Sequence, residues 1–343
     1  MIDKKFLDSI LKVREQYISL YRKEKEEKGS MSLLADRAAA AELIDASYSD
    51  ESVKKFLQTL SVALIADAAH VAEPATVAFL GPEGTFTSQA VINFFGEGIS
   101  RIPQKTIGDV FRQVEAGDAA YGVVPVENST EGAVTFTLDE LMETDLNITA
   151  EQYMKISMCL IGKNIEGTMV KRIYSHPQPV GQCKGWLRKN YPDAELVIVD
   201  STTRAAENAA EDNESAAIAA EVAASIYNLD IISKGIEDLR QNATRFFAIG
   251  NMYQEPTGND KTSLVCAIKD KPAALSRLLE PFNGAGINMT KIESRPDKKK
   301  MWEYNFFIDF LGHRDDEIVI EALEKMKEET IFLKVLGSYP VGK

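Results

Sequence analysis

Three histidines and three cysteines are all that a chain of 343 residues offers by way of imidazoles and thiols. His70, His176 and His313 are too few and too scattered for a zinc site, whose ligands come in closely spaced sets. Cys159, Cys183 and Cys266 form neither a CxxC pair nor a disulfide framework, which fits a reducing cytoplasm and thiols used as small buried hydrophobes. Basic charge is short as well: 39 Lys and Arg stand against 52 Asp and Glu, a formal net charge of -13. A nucleic-acid binder needs the opposite balance, so that class is excluded. No apolar run approaches the roughly 20 residues of a membrane span. The start, MIDKKFLDSILKVREQ, is charged from its third residue and lacks the apolar core and cleavage site of a signal peptide. What remains, 45% hydrophobic and 27% charged, is ordinary globular material, long enough for two or three domains. An acidic protein that handles an anion must overcome its own field locally, with Arg, Lys and backbone N–H groups.

Up to Pro74 the only glycine is Gly29, and the segment reads as helix. Phe6, Leu7, Ile10, Leu11, Tyr17, Ile18 and Tyr21 recur at helical steps, and the charge run RKEKEEKGS marks a solvated end. Shorter helices are predicted near 32–46 and 51–72, the latter with Val53, Phe56, Leu57, Leu60 and Leu64 facing inward. Three such helices hardly bury a core alone, so this segment is expected to pair with a second copy of itself.

From about 75 to 256 short apolar strands (TVAFL, YGVVPVE, KISMCLIG, RIYSH, ELVIVD, SAAIA) alternate with helical stretches, the pattern of an α/β domain. The link YQEPTGND leads to residues 257–343, which read strand, helix, strand, strand, helix, strand, a ferredoxin-like α+β order. Within WEYNFFIDF, Tyr304, Phe306, Ile308 and Phe310 alternate with Glu303, Asn305, Phe307 and Asp309, so one face is expected to be buried.

Polar clusters follow the strands of the middle domain: GPEGTFTSQ, VENSTEG, SHPQPVGQC and DSTTRAA, with NATRF opening a later strand. Small hydroxyls and amides at turns before helices expose backbone N–H groups at the positive helix end, which favours carboxylates. Each cluster alone also fits simple capping chemistry. Together, at the carboxyl ends of strands in an open α/β sheet, they mark a ligand cleft.

GPEGTF, PVENSTEG, SHPQPVGQC and NATRF, in this order, resemble prephenate dehydratase, and DKPAALSRLLEPFNGAGINMTKIESRP resembles that family's ACT regulatory domain. The N-terminal helices are similar in place and length to the chorismate mutase domain of some members. The resemblance implies a multidomain protein: a helical mutase-like segment (1–74), a two-lobed catalytic domain built like a periplasmic-type binding protein (75–256) and an ACT domain (257–343). It implies decarboxylating dehydration of prephenate to phenylpyruvate with no metal or organic cofactor, in a cytoplasmic homodimer or homotetramer with phenylalanine as effector.

Thr244 is then the catalytic donor to the departing ring hydroxyl. Arg245 holds a substrate carboxylate or the cleft wall, an internal ion pair being the alternative, and Phe246 packs beneath. Thr85, Asn128, Ser129, Gln178, Thr202 and Thr203 are carried over as substrate-site donors. Glu83 and Glu127, beside a dianion, fit caps or partners of cations better than substrate ligands. His176 fits a structural turn better than catalysis. Ala273, Ala274, Leu275, Asn288, Glu293, Ser294 and Arg295 correspond to the phenylalanine site, with Ala273 standing where the family has glycine. Of a mutase cage only Arg14, Lys23, Lys25 and Arg37 have counterparts. Ala38 replaces the usual carboxylate and the last helix, LIADAAHV, lacks a glutamine, so the segment is expected to be impaired as a mutase and kept for dimerisation. A working bifunctional enzyme and a non-enzymatic amino-acid sensor are the two competing readings.

Overall fold

The computed structural model describes residues 4–28, 40, 43–44, 46–72, 75–96, 98–163, 170–238, 242–268, 271–296 and 304–342. Helices α1 (Lys4–Lys28) and α2 (Glu51–Ala72) pack against one another. The Asp50 carboxylate starts α2 by accepting from the backbone N–H groups of Ser52 and Val53 at 2.8 and 3.1 Å. Ile18, Tyr21, Ile65 and Ala68 are buried in one apolar cluster with Val77, Phe79 and Phe246 of the middle domain. Ile18 and Tyr21 of α1 are buried as expected and Leu57 and Leu64 of α2 are half-buried, but the rest of the expected α2 face is not covered. Val53, Phe56 and Leu60 are 38, 64 and 41% exposed, and Leu11 is 52% exposed. α2 has two apolar stripes, and the one carrying Ile65 and Ala68 meets the rest of the chain. The side chains of Phe6, Leu7 and Ile10, and most of the helix expected at 32–46, lie outside the described residues.

The middle domain has two lobes on one plan. Lobe 1 holds β1 (Thr76–Leu80), α3 (Phe86–Phe95), β2 (Ser100–Gln104), α4 (Ile107–Glu115), β3 (Tyr121–Asn128), β4 (Gly132–Ala133), α5 (Thr135–Glu143), β5 (Asn147–Lys155) and, returning later, β11 (Ala243–Gly250). Lobe 2 holds β6 (Cys159–Gly162), β7 (Arg172–Ser175), α6 (Pro177–Gln182), α7 (Lys184–Asn190), β8 (Glu195–Ile198), α8 (Thr202–Glu211), β9 (Ser215–Ala219), α9 (Glu221–Ile226) and β10 (Asp230–Lys234). The sheet orders are β2-β1-β3-β11-β5 and β8-β7-β9-β6-β10, each with parallel strands extended by antiparallel pairs. KISMCLIG, read as a single strand, is split at 156–158, where the chain crosses between lobes. The return crossing runs beside it, joined by Ile156 N–H to Asn242 C=O at 2.9 Å and Ile236 N–H to Met158 C=O at 3.1 Å. The polar clusters fall at the carboxyl ends of β1, β3, β7 and β8.

The C-terminal domain, expected to be ACT-like, comprises β12 (Asp260–Ile268), α10 (Ala274–Ala285), β13 (Met289–Pro296), β14 (Tyr304–Leu311), α11 (Glu317–Glu329) and β15 (Thr330–Pro340), in sheet order β13-β14-β12-β15. Leu278, Phe282, Val319, Leu323 and Met326 cover one sheet face at Leu264, Cys266, Ile308 and Phe310. One buried face was expected, and the other is buried too: Asn305, Phe307 and Asp309 are 3, 4 and 5% exposed. Val265, Phe307, Leu336 and Tyr339 on that face share a core with Val124, Ile148, Phe247 and Ile249 of lobe 1. β15 runs against β5 so closely that a side chain on Gly337 would collide with the Ile148 backbone.

Candidate active site

The start of β11 lies beside the carboxyl end of β3, with Thr244 opposite Asn128 and Arg245 opposite Glu127. Asn128 Nδ2 donates to Thr244 Oγ1 and to Asn242 Oδ1, both at 2.8 Å, and Asn242 Nδ2 donates to Gln182 Oε1 at 3.2 Å. Asn128 Oδ1 accepts from Thr130 N–H at 3.0 Å, Thr130 Oγ1 at 2.6 Å and Glu131 N–H at 3.2 Å. Those three donors fix which end of the amide faces Thr244. Thr244 is only 8% exposed, yet its oxygen sits in a chain of amides. Since that oxygen accepts from Asn128, its own proton is not used in that bond and can be donated elsewhere. Phe246, on the same strand face, is buried among apolar side chains below it. Asn242 and Gln182 were absent from the sequence-derived set although both stand inside its motifs; nothing in spacing distinguishes an amide that braces a neighbour from one that caps a turn.

The other expected donors line the two lobes, and most are engaged within the protein. Thr85 caps α3, accepting from Ser88 N–H at 3.3 Å and donating to Pro82 C=O at 2.9 Å. Ser129 Oγ accepts from Ala243 N–H at 2.9 Å and so holds the start of β11. Gln178 Nε2 donates to Glu131 Oε1 at 2.5 Å, and Thr203 Oγ1 to Glu83 C=O at 3.1 Å; both bonds join lobe 2 to lobe 1. Thr202 is half-buried in the first turn of α8, behind the Ser201 cap. The amino ends of α3 and α8 therefore follow β1 and β8 where the sheets end, an arrangement that favours anions. His176 caps α6, its Nδ1 accepting from Gln178 N–H at 3.4 Å, and Glu83 lies 3.5 Å from Arg101. Burial pushes the thiols of Cys159, Cys183 and Cys266 up to about 11, 12 and 12.

Arg245 corrects the sequence reading. Alternation along β11 turns it away from Thr244, and its guanidinium is 2% exposed beneath the ACT sheet. Nε and Nη2 reach Glu151 Oε2 at 2.8 and 2.6 Å, Nη1 reaches Asp309 Oδ2 at 2.5 Å, and Nη2 donates to Tyr339 OH at 3.1 Å. Glu151 also accepts from Lys261 Nζ at 2.5 Å and from Gly342 N–H at 3.0 Å. Burial disfavours the Arg245 charge, but Tyr339, Asp309 and Glu151 outweigh it and hold the group cationic. The internal ion pair, not a substrate carboxylate, is its partner. Phe247 on the same face lies 4.6 Å, ring centroid to guanidinium carbon, from it.

Among the expected effector residues, Ala273 begins α10 with φ 60° and ψ 20°, Ala274 is buried and Leu275 is 38% exposed. Asn288 and Ser294 are exposed and Glu293 is half-buried. Arg295 is occupied by Asp139 of α5 through two bonds of 2.7 and 2.8 Å, which dock β13 on lobe 1. Of the mutase counterparts, Arg14 is half-buried and Lys23 exposed on α1, while the Lys25 side chain and Arg37 lie outside the described residues.

Residues 77–254 match the model of the prephenate dehydratase family and residues 262–328 that of the ACT domain. A bifunctional chorismate mutase/prephenate dehydratase of Aquifex aeolicus is 48% identical over 264 residues, 77% of this chain and 73% of that protein. A prephenate dehydratase of Methanocaldococcus jannaschii is 38% identical over 269 residues, 76% of this chain and 96% of that one. The solved structure of prephenate dehydratase from Arthrobacter aurescens in complex with L-Phe is 34% identical, covers 78% of this chain and 90% of its own, and superposes with a TM-score of 0.71. By its matched domains, its relatives and its fold, the chain belongs to the prephenate dehydratase family and carries the ACT regulatory domain behind the catalytic one.

Proposed function

We propose that Thr244 is the group that assists the ring hydroxyl to leave as prephenate becomes phenylpyruvate, water and carbon dioxide. Loss of the ring carboxylate as carbon dioxide leaves its bonding electrons to make the ring aromatic, and hydroxide departs from the opposite carbon. A hydrogen bond that strengthens as negative charge grows on that oxygen lowers the barrier. The observation that carries this reading is the Asn128 amide, held on Thr244 Oγ1 at 2.8 Å so that the threonine proton is free to point into the cleft. Threonine is too weak an acid to give up its proton outright at neutral pH, so it acts as a positioned donor, with water as the source of the proton. With Arg245 committed elsewhere, the substrate carboxylates rely on the amino ends of α3 and α8 and on Thr202 and neighbouring donors. Thr244→Ala is expected to cut kcat by about two orders of magnitude, with prephenate binding and the circular dichroism spectrum unchanged; near-normal turnover removes the assignment.

Phenylalanine acts in this reading as feedback effector on the ACT domain, through the turn at Ala273, Ala274 and Leu275 and the strand with Asn288, Glu293 and Ser294. The solved relative bound to L-Phe supports it. The N-terminal helices are taken as a mutase-like segment retained for assembly of a cytoplasmic homodimer or homotetramer, a role supported by the uncovered stripe of Val53, Phe56 and Leu60. The bifunctional relatives favour the second reading, in which mutase activity persists. Supplying chorismate and prephenate separately decides: phenylpyruvate from prephenate alone supports impairment, from both the bifunctional enzyme, and from neither a sensor.

A further inference from the structure

The strand pair that carries Thr244 has a second face, and the ACT sheet grips it. Asn128 and Thr244 stand opposite each other on β3 and β11, and the adjacent pair is Glu127 with Arg245. Successive side chains leave a strand on opposite sides, so the first pair meets at the cleft and the second points away. Facing the second pair is a matching one in the ACT sheet, Lys291 of β13 opposite Asp309 of β14. The signs are complementary: Lys291 Nζ lies 2.5 Å from Glu127 Oε2, and Asp309 Oδ2 lies 2.5 Å from Arg245 Nη1. Four charges thus join one cross-strand pair of the catalytic sheet to one of the regulatory sheet. Asp309 and Arg245 are almost wholly buried, so little solvent weakens their attraction, whereas Lys291 is 14% and Glu127 37% exposed and their pair is partly screened. The register shifts between Arg245 and Phe246, where β3 carries the extra residue Val126 next to Glu127, and a bulge re-aims the side chains beside it.

Resting on the catalytic reading of Thr244, we propose that Lys291 and Asp309 are positioning residues for the dehydration. Through Glu127 and Arg245 they set the Asn128–Thr244 hydrogen bond, so that a shift of the ACT sheet reaches the cleft as a change in the aim of one hydroxyl. Coupling of this kind travels through a packed, charged contact and requires no opening of the lobes.

The experiment uses the full chain with Lys291→Met, which keeps the aliphatic stem and removes the charge, and Lys291→Arg, which restores the charge. Three readouts are taken: kcat, KM for prephenate, and the side-chain amide resonances of Asn128 in a nitrogen-15 correlation spectrum. Lys291→Met is expected to lower kcat about tenfold, the scale of a small misplacement of a reacting group, with KM changed by less than about twofold. The Asn128 resonances shift along with it, and Lys291→Arg recovers both. Unmoved Asn128 resonances in a folded Lys291→Met protein overturn the proposal whatever the rate. Moved resonances with undiminished kcat uphold the link between sheets and count instead against Thr244 as the donor.

Discussion

At the cleft the two lobes meet through two side-chain hydrogen bonds, the exposed one from Gln178 to Glu131 and the part-buried one from Thr203 to the Glu83 carbonyl. Lobe 1 meets the ACT sheet through buried charges and packed rings: Arg245, Glu151, Lys261 and Asp309 with Phe247, Phe307 and Tyr339. The first contact can break and reform with water taking each polar partner, at little net cost. The second cannot, because each domain supplies one cation and one anion to a place that water does not reach, and separation leaves all four to be resolvated together. The comparison teaches that the regulatory domain is packed as part of the catalytic core, while the working cleft is the loose joint.

The largest effect expected from breaking this contrast is at the tight seam. Asp309→Ala leaves Arg245 and Lys261 to share the single carboxylate of Glu151 and Ser263 without its acceptor, and is expected to cost about 3–5 kcal/mol, measured as the shift of the denaturant midpoint with the slope checked for a single transition. A loss below about 1 kcal/mol, the scale of a surface pair, would mean that the seam is wetter than it is described here.

Alkaline pH probes the same burial without mutation. Burial raises Cys159 to about 11, and Cys183 and Cys266 to about 12, from an ordinary 9, and lifts the Tyr339 phenol well above 10. Raised folded-state values mean that the contribution is complete below pH 9 and is lost as pH climbs toward the folded values. Each such group steepens the fall by up to about 1.4 kcal/mol per pH unit. Denaturant midpoints that stay level from pH 9 to 11 would contradict it.

Away from the seam, Ala273→Gly is expected to stabilise by about 1 kcal/mol or somewhat less, because alanine at φ 60° is crowded where glycine is not. Thermal unfolding followed in the ACT domain tests this, and a lower midpoint for the glycine variant refutes it. The smallest effect is reserved for the loose joint: Gln178→Ala should change stability by no more than about 0.5 kcal/mol, its consequence appearing in KM for prephenate. A loss as large as that of Asp309→Ala would erase the distinction between the two seams.

Much of the site was legible beforehand because turns and caps obey local rules. A strand that ends in Gly-Pro-Glu-Gly or Glu-Asn-Ser-Thr must turn there, and open α/β sheets gather such ends along one edge. Asn128 and Thr244 were singled out only through the resemblance of VENSTEG and NATRF to the motifs of the prephenate dehydratase family. Asn242 and Gln182 were not, since the bond between them spans 60 residues of sequence and no periodicity records it. For Arg245 and Arg295 the residue type was informative, but its direction was not: a guanidinium suits a substrate carboxylate and a protein carboxylate equally well.

The order of strands and helices, the turn-rich ends of the strands and the ferredoxin-like tail were determined by the sequence itself, through period, propensity and turn chemistry acting over a few residues. Tertiary structure alone decided which stripe of α2 is covered, that both faces of β14 are buried, and that Arg245 serves the ACT seam. Burial belongs to two surfaces at once, so a pattern on one strand records that a face is apolar or charged. Only the surface packed against it decides what that face becomes.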